Sequence, residues 1–469
     1  MPDADPIFAL ARHVAATRYD VIPRAAREAA RRSIMDTLGT ALAGGGMPLG
    51  RTAADIARAW GGAPECSLLG YADRLPAPHA VFANAALARV TDLDDMDETV
   101  GEHPAIAPVM SALAAAEAGG PSEARKDDGR TLVAAVALAT DTGIRIRSAL
   151  RSEPGDRPWC PEVYAPFAAA AAAGRVFGFD EERMVSALGI ALEQVSGTWQ
   201  MHREGASVYQ LQYALAAKAG FLSAWLARQG VTGPTKVILG EYGLARHYSV
   251  GGMDVERLTA GLGERYLNTQ ATVKVYACGG FTHRPIEGMR RLAKQHGIAW
   301  DAIERIVVRI NKHGYQRVCH PIEVKRAPPS FLEAQFSAPF AVATAAVLGD
   351  VFLDEMNEKT MRDPRVLALA RRVECVMDPS LDRPGLILTP VVVEVTMRGG
   401  ATHRVVVERV RGHPGEPLTL VELGDKFRRC ARHAQSPLPG ERVERAIGML
   451  ARLEDVPDVR EVTALLRSG

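Results

Sequence analysis

The stretch Phe82–Gly120 reads FANAALARVTDLDDMDETVGEHPAIAPVMSALAAAEAGG. Two alanine-rich apolar segments, Val81–Val90 and Ala105–Ala118, enclose a run with five acids (Asp92, Asp94, Asp95, Asp97 and Glu98) and His103. The apolar segments are too long for buried strands and are not β-branched, so they read as buried helices. An acidic run between helices is most often a solvated loop. Here Asp92 starts inside a segment that reads as buried, which places it away from bulk water. His103 precedes Pro104 at the entry to the next helix, near backbone N–H groups that attract anions. A carboxylate paired with a histidine suits general acid–base work, so Asp92 and His103 are the expected chemical pair. Asp94, Asp97 and Glu98 are read as loop solvation.

Outward from this stretch the first ~260 residues continue as helix after helix. Ala25–Ala43 puts Ala29, Ile34, Leu38 and Leu42 on one face and stops at Gly44-Gly45-Gly46. Further helices are predicted over Thr131–Leu150, Ala165–Val176, Met184–Val195 and Tyr209–Gln229. Small side chains in AAAAAAG (168–174) and ALAAKAG (214–220) allow helix axes to approach closely. Beyond Arg265 the pattern changes. Ile306–Ile310, Val391–Thr396 and Thr402–Arg409 are β-branched runs, the last two joined by Gly399-Gly400 as a hairpin. Helices are expected between them at Arg284–His296, Ala334–Leu348 and Asp363–Val373. Three more, Val421–His433, Glu441–Leu453 and Val459–Leu466, are too small a group to fold alone and are expected to pack back on the first helices. The fold class is therefore mainly α: a large all-helical domain with an inserted, smaller α+β domain. The expected boundaries are 1–266, 267–412 and 413–469.

Composition narrows the function. Lys+Arg 56 against Asp+Glu 55 leaves a net charge of +1, with no basic field for nucleic acid. The N-terminal residues lack the basic and uninterrupted apolar regions of a signal peptide, and no apolar run reaches the ~20 residues of a membrane span. Six widely spaced cysteines without C-x-x-C fit reduced thiols and argue against a zinc ribbon or iron–sulfur cluster. The expectation is a soluble, cytoplasmic protein with no nucleic-acid or membrane partner.

Three other segments carry polar groups beside helices that read as buried. They are DRPWCPEVYAPF (156–167), QMHREGASVYQLQYALAAKAGFLSAWLARQG (200–230) with His202, and VKVYACGGFTHRP (273–285). In the last, Lys274, Cys278, Gly279 and His283 bracket a strand-to-helix turn where backbone can approach a ligand. Singly, each has an ordinary structural explanation.

In order and spacing these segments resemble the MmgE/PrpD family of 2-methylcitrate dehydratases, cis-aconitate decarboxylases and iminodisuccinate epimerase-like proteins. The resemblance is carried by RRSIMDTLGTALAGG (31–45), NAALARVTDLDD (84–95) with HPAIAPVMSALAAAEAGG (103–120), and WCPEVYAPFAAAAAAGRVFGFDEE (159–182). It continues through LAAKAGFLSAWLARQGVTGPTKVILGEYG (215–243), KVYACGGFTHRPIEG (274–288) and AQFSAPFAVATA (334–345). It implies a homodimer, a small di- or tricarboxylate substrate, a cleft between the two domains, and neither a metal nor an organic cofactor. It also implies a lyase, with dehydration first and epimerisation or decarboxylation as alternatives; a catalytically inactive ligand-binding homologue is the other class of reading. By matching positions, Asp92, His103 and Lys274 correspond to catalytic residues, and Thr99 to a loop threonine. Asp95, His202, Gln210, Cys278, Gly279 and His283 are carried as substrate-binding candidates.

The chain departs from the family pattern at several positions. Cys160 stands for a histidine, Tyr209 (next to Gln210) for a lysine, Gln212 for a histidine and Phe340 for a tyrosine. Each loss of a cationic donor weakens the binding of a trianion. The expectation is a substrate with fewer charges or a larger apolar part. A packing role for Cys160 outweighs a nucleophilic one, since no base lies beside it in sequence.

Overall fold

The computed structural model describes residues 5–99, 101–119, 128–150, 159 and 161–468. The chain forms two compact units. The first comprises Met1–Val90, Glu102–Ala271 and Thr419–Gly469; the second comprises Thr91–Gly101 and Thr272–Leu418.

The first unit is helical. At its centre lies Ala165–Val176, packed against Ile106–Ala118, Gly129–Ala149 and Gln212–Arg228. Small residues permit this: a β-carbon at Gly220 would lie 2.1 Å from the Pro166 carbonyl oxygen and 2.6 Å from the Ala169 β-carbon, so the two backbones nearly touch. Arg24–Gly44 matches the predicted helix within one residue at each end. The C-terminal helix Leu420–Ala431 returns to it, closed by a capping box of Thr419 and Glu422. A buried ion pair of 2.5 Å between Lys426 and Asp36 joins the two helices. A second buried pair organises the far end of the unit. Arg145 Nε donates to Asp141 at 2.8 Å, and its other nitrogens donate to the carbonyls of Ala260 at 2.9 Å and Arg265 at 2.6 Å. Those bonds fasten the outgoing chain to helix Gly129–Ala149. The sequence also contains two helices not anticipated, Ile7–Ala16 and Pro48–Ala59.

The second unit is α+β. Its larger sheet has four strands in the order Val373–Met377, Ile303–Ile310, Val391–Met397, Thr402–Val407; the first pair is parallel and the others antiparallel. The expected hairpin forms with Val391 opposite Val407 and Thr396 opposite Thr402. Helix Gly280–His296 lies on these last two strands. Two expected helices are cut. Asp363–Val373 is reduced to Pro364–Ala370, because Val373 begins the parallel edge strand. Ala334–Leu348 becomes Phe331–Gln335 and Ala338–Leu348, because Ser337 caps the second piece by accepting from the Phe340 N–H. Among the described residues no helix is long and apolar enough to cross a membrane.

Candidate active site

In the second unit the site begins with a backbone irregularity. Asp92 has φ 51°, and no other non-glycine among the described residues has a positive φ. That conformation costs an L-residue roughly 1–2 kcal/mol, and Asp tolerates it better than most. The turn is held by Lys274, whose Nζ donates to the Asp92 carboxylate at 2.8 Å and to its carbonyl oxygen at 2.9 Å. Both side chains are almost fully buried, at 1% and 2% exposure. A buried ion pair is costly to break, because the survivor is left as an unpaired charge. An ammonium has three N–H donors, and two of them are committed to Asp92.

The rest of the acidic run is not loop solvation. Asp94, Asp95 and Asp97 are fully buried, and Glu98 nearly so. Asp97 accepts from the Thr99 N–H at 2.8 Å and its hydroxyl at 2.5 Å, a local turn that fixes Thr99. Burial of four more acids is a tertiary effect that the polarity of the run conceals.

Downstream of Lys274 the candidates are packed rather than open. A β-carbon on Gly279 would meet Phe336 at 2.7 Å, and one on Gly280 would meet the Met96 sulfur at 2.5 Å. The glycines are thus required where the start of helix Gly280–His296 abuts its neighbours. Burial pushes the Cys278 thiol up to about 12, so it stays protonated and is a poor nucleophile. His283 is buried, with Nε2 3.2 Å from the Cys278 carbonyl oxygen, which assigns the ring proton to that nitrogen. Burial first, and then the charge of Lys274, lower its pKa to about 3. His283 is therefore a neutral imidazole at any physiological pH.

In the first unit a separate group of candidates lies around Tyr213, in the opening turn of helix Gln212–Arg228. Its phenol oxygen accepts from the His103 backbone N–H at 3.0 Å, while its proton goes to Glu102 at 3.2 Å. Glu102 in turn is held by Arg147 at 2.9 Å. Burial first, then Tyr164 and Glu102, raises the Tyr213 pKa well above its usual value, so the phenol remains a donor. The His103 ring stands edge-on to Tyr213 at 5.5 Å and is partly exposed. It lies three residues ahead of helix Ile106–Ala118 rather than at its first turn. Sequence reasoning missed Tyr213, Glu102 and Arg147; Tyr213 is hidden in an apolar run, Arg147 inside a predicted helix, and Glu102 beside His103 at the end of the acidic run.

The recognition candidates gather around a short 3-10 turn, Ser207–Leu211, where the sequence predicts the helix to have begun. Tyr209 is buried and its oxygen accepts from Arg89 at 3.1 Å. Arg89 is itself buried in the last turn of Ala77–Arg89, with its guanidinium over the Tyr209 ring at 5.3 Å and the Tyr213 ring at 5.8 Å. No motif pointed to it. Gln210 donates to the Val90 carbonyl at 3.1 Å and Gln212 to the Ser196 carbonyl at 3.3 Å, so each amide spends a donor on backbone. His202 stacks on Trp199 at 4.6 Å and meets Tyr209 edge-on at 5.1 Å. Phe340 is fully buried in helix Ala338–Leu348. Cys160 lies outside the described residues.

The structure therefore gathers Asp92, Thr99, Lys274, Cys278, Gly279 and His283 in one unit. His103, His202, Tyr209, Gln210 and Gln212 are in the other. Comparison with known proteins matches residues 9–256 to the MmgE/PrpD N-terminal domain and residues 276–452 to the MmgE/PrpD C-terminal domain. The chain is 28% identical over 459 residues to the cis-aconitate decarboxylase-like protein oryM of Aspergillus oryzae, covering 95% of this chain and 94% of the relative. It is 26% identical over 465 residues to a cis-aconitate decarboxylase of Aspergillus terreus, covering 94% and 92%. The human cis-aconitate decarboxylase is 27% identical over 452 residues, covering 93% and 89%.

Proposed function

The chain belongs to the MmgE/PrpD family, and on that premise we propose that it is a carboxy-lyase for a small unsaturated di- or tricarboxylic acid, with His103 as the proton-transfer group. The sequence ranks dehydration first. The relatives, three of them cis-aconitate decarboxylases or decarboxylase-like proteins aligned over at least 93% of the chain, move loss of CO₂ ahead of it.

The chemistry asks for two things. When a β,γ-unsaturated acid loses CO₂, the electron pair of the breaking C–C bond shifts into the carbon chain, and the double bond migrates. The distal alkene carbon takes a proton from an acid, here His103. A fixed cation must also hold a carboxylate that stays, and the remaining donor of Lys274 fits that role. The observation that carries the proposal is the buried Lys274–Asp92 pair at 2.8 Å. Asp92 balances the ammonium and aims it, so little reorganisation is needed when a carboxylate binds.

Recognition is assigned to neutral donors, Tyr209 foremost. With Arg89 donating to its oxygen, the phenol is polarised toward giving its own proton. A substrate with fewer charges than a tricarboxylate fits this set better than it fits lysines. The working form is proposed to be a homodimer, which light scattering on the purified chain decides.

The test is an activity screen across unsaturated, hydroxy- and amino-dicarboxylic acids run in D₂O and read by mass. Loss of 44 with one deuterium gained supports a decarboxylase. Loss of 18 redirects the reading to a dehydratase, and deuterium gain alone to an epimerase. No change with any acid rejects the catalytic reading.

A further inference from the structure

The acidic run is fastened to its unit at a second point, away from Asp92. Glu98 is 5% exposed and carries a full set of partners. Its Oε2 accepts from Arg284 Nη2 at 2.6 Å, and its Oε1 from the Thr272 hydroxyl at 3.3 Å. Its backbone oxygen accepts from the N–H groups of Ile387 at 3.1 Å and Leu388 at 3.4 Å. The His413 ring stands 3.9 Å from the same carboxylate. Arg284 is also buried, at 4% exposure, and its Nε donates to the Glu408 carbonyl at 3.1 Å.

Thr272, Lys274 and Arg284 belong to one continuous segment. Lys274 holds the start of the acidic run at Asp92, while Thr272 and Arg284 hold its end at Glu98. Both anchor points on the run are thus bonded to a single continuous segment that ends in helix Gly280–His296. Thr99 follows Glu98 directly and is fixed by Asp97. Any slip at Glu98 therefore moves Thr99 with respect to Lys274.

We propose that Glu98 and Arg284 are positioning residues for the reaction, setting the place of Thr99 relative to the Lys274 ammonium. The proposal rests on the reading of Lys274 and Thr99 as residues that meet the substrate. Burial alone would be served by any well-packed pair of the same volume. Here the bonds are directional, and they converge on the residue before Thr99.

The experiment uses the full-length protein with Glu98→Gln, Arg284→Met and Arg284→Lys. It measures kcat and KM on whichever acid the wild type converts fastest, and backbone hydrogen exchange over 93–101. Glu98→Gln and Arg284→Met are expected to lower kcat by about 10- to 100-fold per folded molecule, with KM changed by less than about threefold. Exchange in 93–101 should accelerate about tenfold or more while the rest of the unit is unchanged. Arg284→Lys, which keeps the charge, should recover most of the rate. Unchanged kcat per folded molecule, or Arg284→Lys as impaired as Arg284→Met, overturns the proposal. If the wild type converts no acid, the catalytic reading is what fails. Hydrogen exchange then decides the anchor separately, and wild-type exchange in Glu98→Gln rejects it.

Discussion

The run Thr91–Gly101 in the second unit and the run 199–213 in the first are both short irregular segments beside apolar helices, yet they bury different polar groups. In the first, the buried groups are formal charges: Asp92 against Lys274 at 2.8 Å and Glu98 against Arg284 at 2.6 Å. In the second, they are neutral donors and acceptors, Tyr209, Gln210, Gln212 and Tyr213, and Arg89, a cation bonded to Tyr209, lies beneath the rings. Removing one partner of a charge pair withdrawn from water is strongly destabilising, because what remains is an uncompensated ion. A neutral donor can be lost for about 1–3 kcal/mol. On the proposed function, the charged run suits a reaction centre that must not move, and the neutral run suits retuning to a new substrate at small cost to the fold.

Lys274→Met gives the comparison its hardest test. It removes the ammonium that faces the buried Asp92 carboxylate in its left-handed turn, so denaturant titration should show about 3–5 kcal/mol of lost stability. Turnover should fall by about 10³-fold or more. A variant of wild-type stability would mean that the pair is not what holds the turn.

Tyr209→Phe probes the neutral run. It keeps the ring over which Arg89 lies and removes one donor, so KM should rise about 5- to 30-fold, with kcat within about threefold. A kcat collapse at constant KM would place Tyr209 with the chemistry instead.

The smallest effect is a pH dependence from His283. Its folded pKa, about 3, lies below the ordinary 6.5 of the unfolded chain. The unfolded state therefore binds the proton first. The stability contribution is complete above about pH 6.5 and declines as pH falls toward 3, by about 1 kcal/mol between pH 6.5 and 5.5. His283→Gln should flatten that slope in thermal melts across this range; an unchanged slope would assign it to other groups.

Local signals carried much of this architecture. The period of Arg24–Gly44 and the glycine turn between Val391–Met397 and Thr402–Val407 are written in neighbouring residues, and those elements form where expected. The parallel edge strand Val373–Met377 is not legible, since its pairing partner Ile306–Ile310 is distant and the preceding helix runs almost into it. Site legibility divides in the same way. Asp92 and His103 stand out by type and spacing, and Lys274 only through the family resemblance. The enclosure of Asp94, Asp95, Asp97 and Glu98 does not, because it depends on packing across the second unit, with Arg284 lying 186 residues from Glu98. Arg89 is similarly hidden: its meaning comes from Tyr209, 120 residues away. Gly279 looked like a ligand contact, and the Phe336 ring against it supplies a packing reason for the same residue.

Proton transfer by His103 next to a carboxylate is the step on which the proposed function stands. The most direct measurement is solvent deuterium incorporation, in D₂O, into the acid or product the wild type handles best, with His103→Gln alongside. The account predicts one deuterium per turnover for the wild type and a rate about 10²- to 10⁴-fold lower for the variant. Incorporation by His103→Gln within about tenfold of the wild type would contradict it.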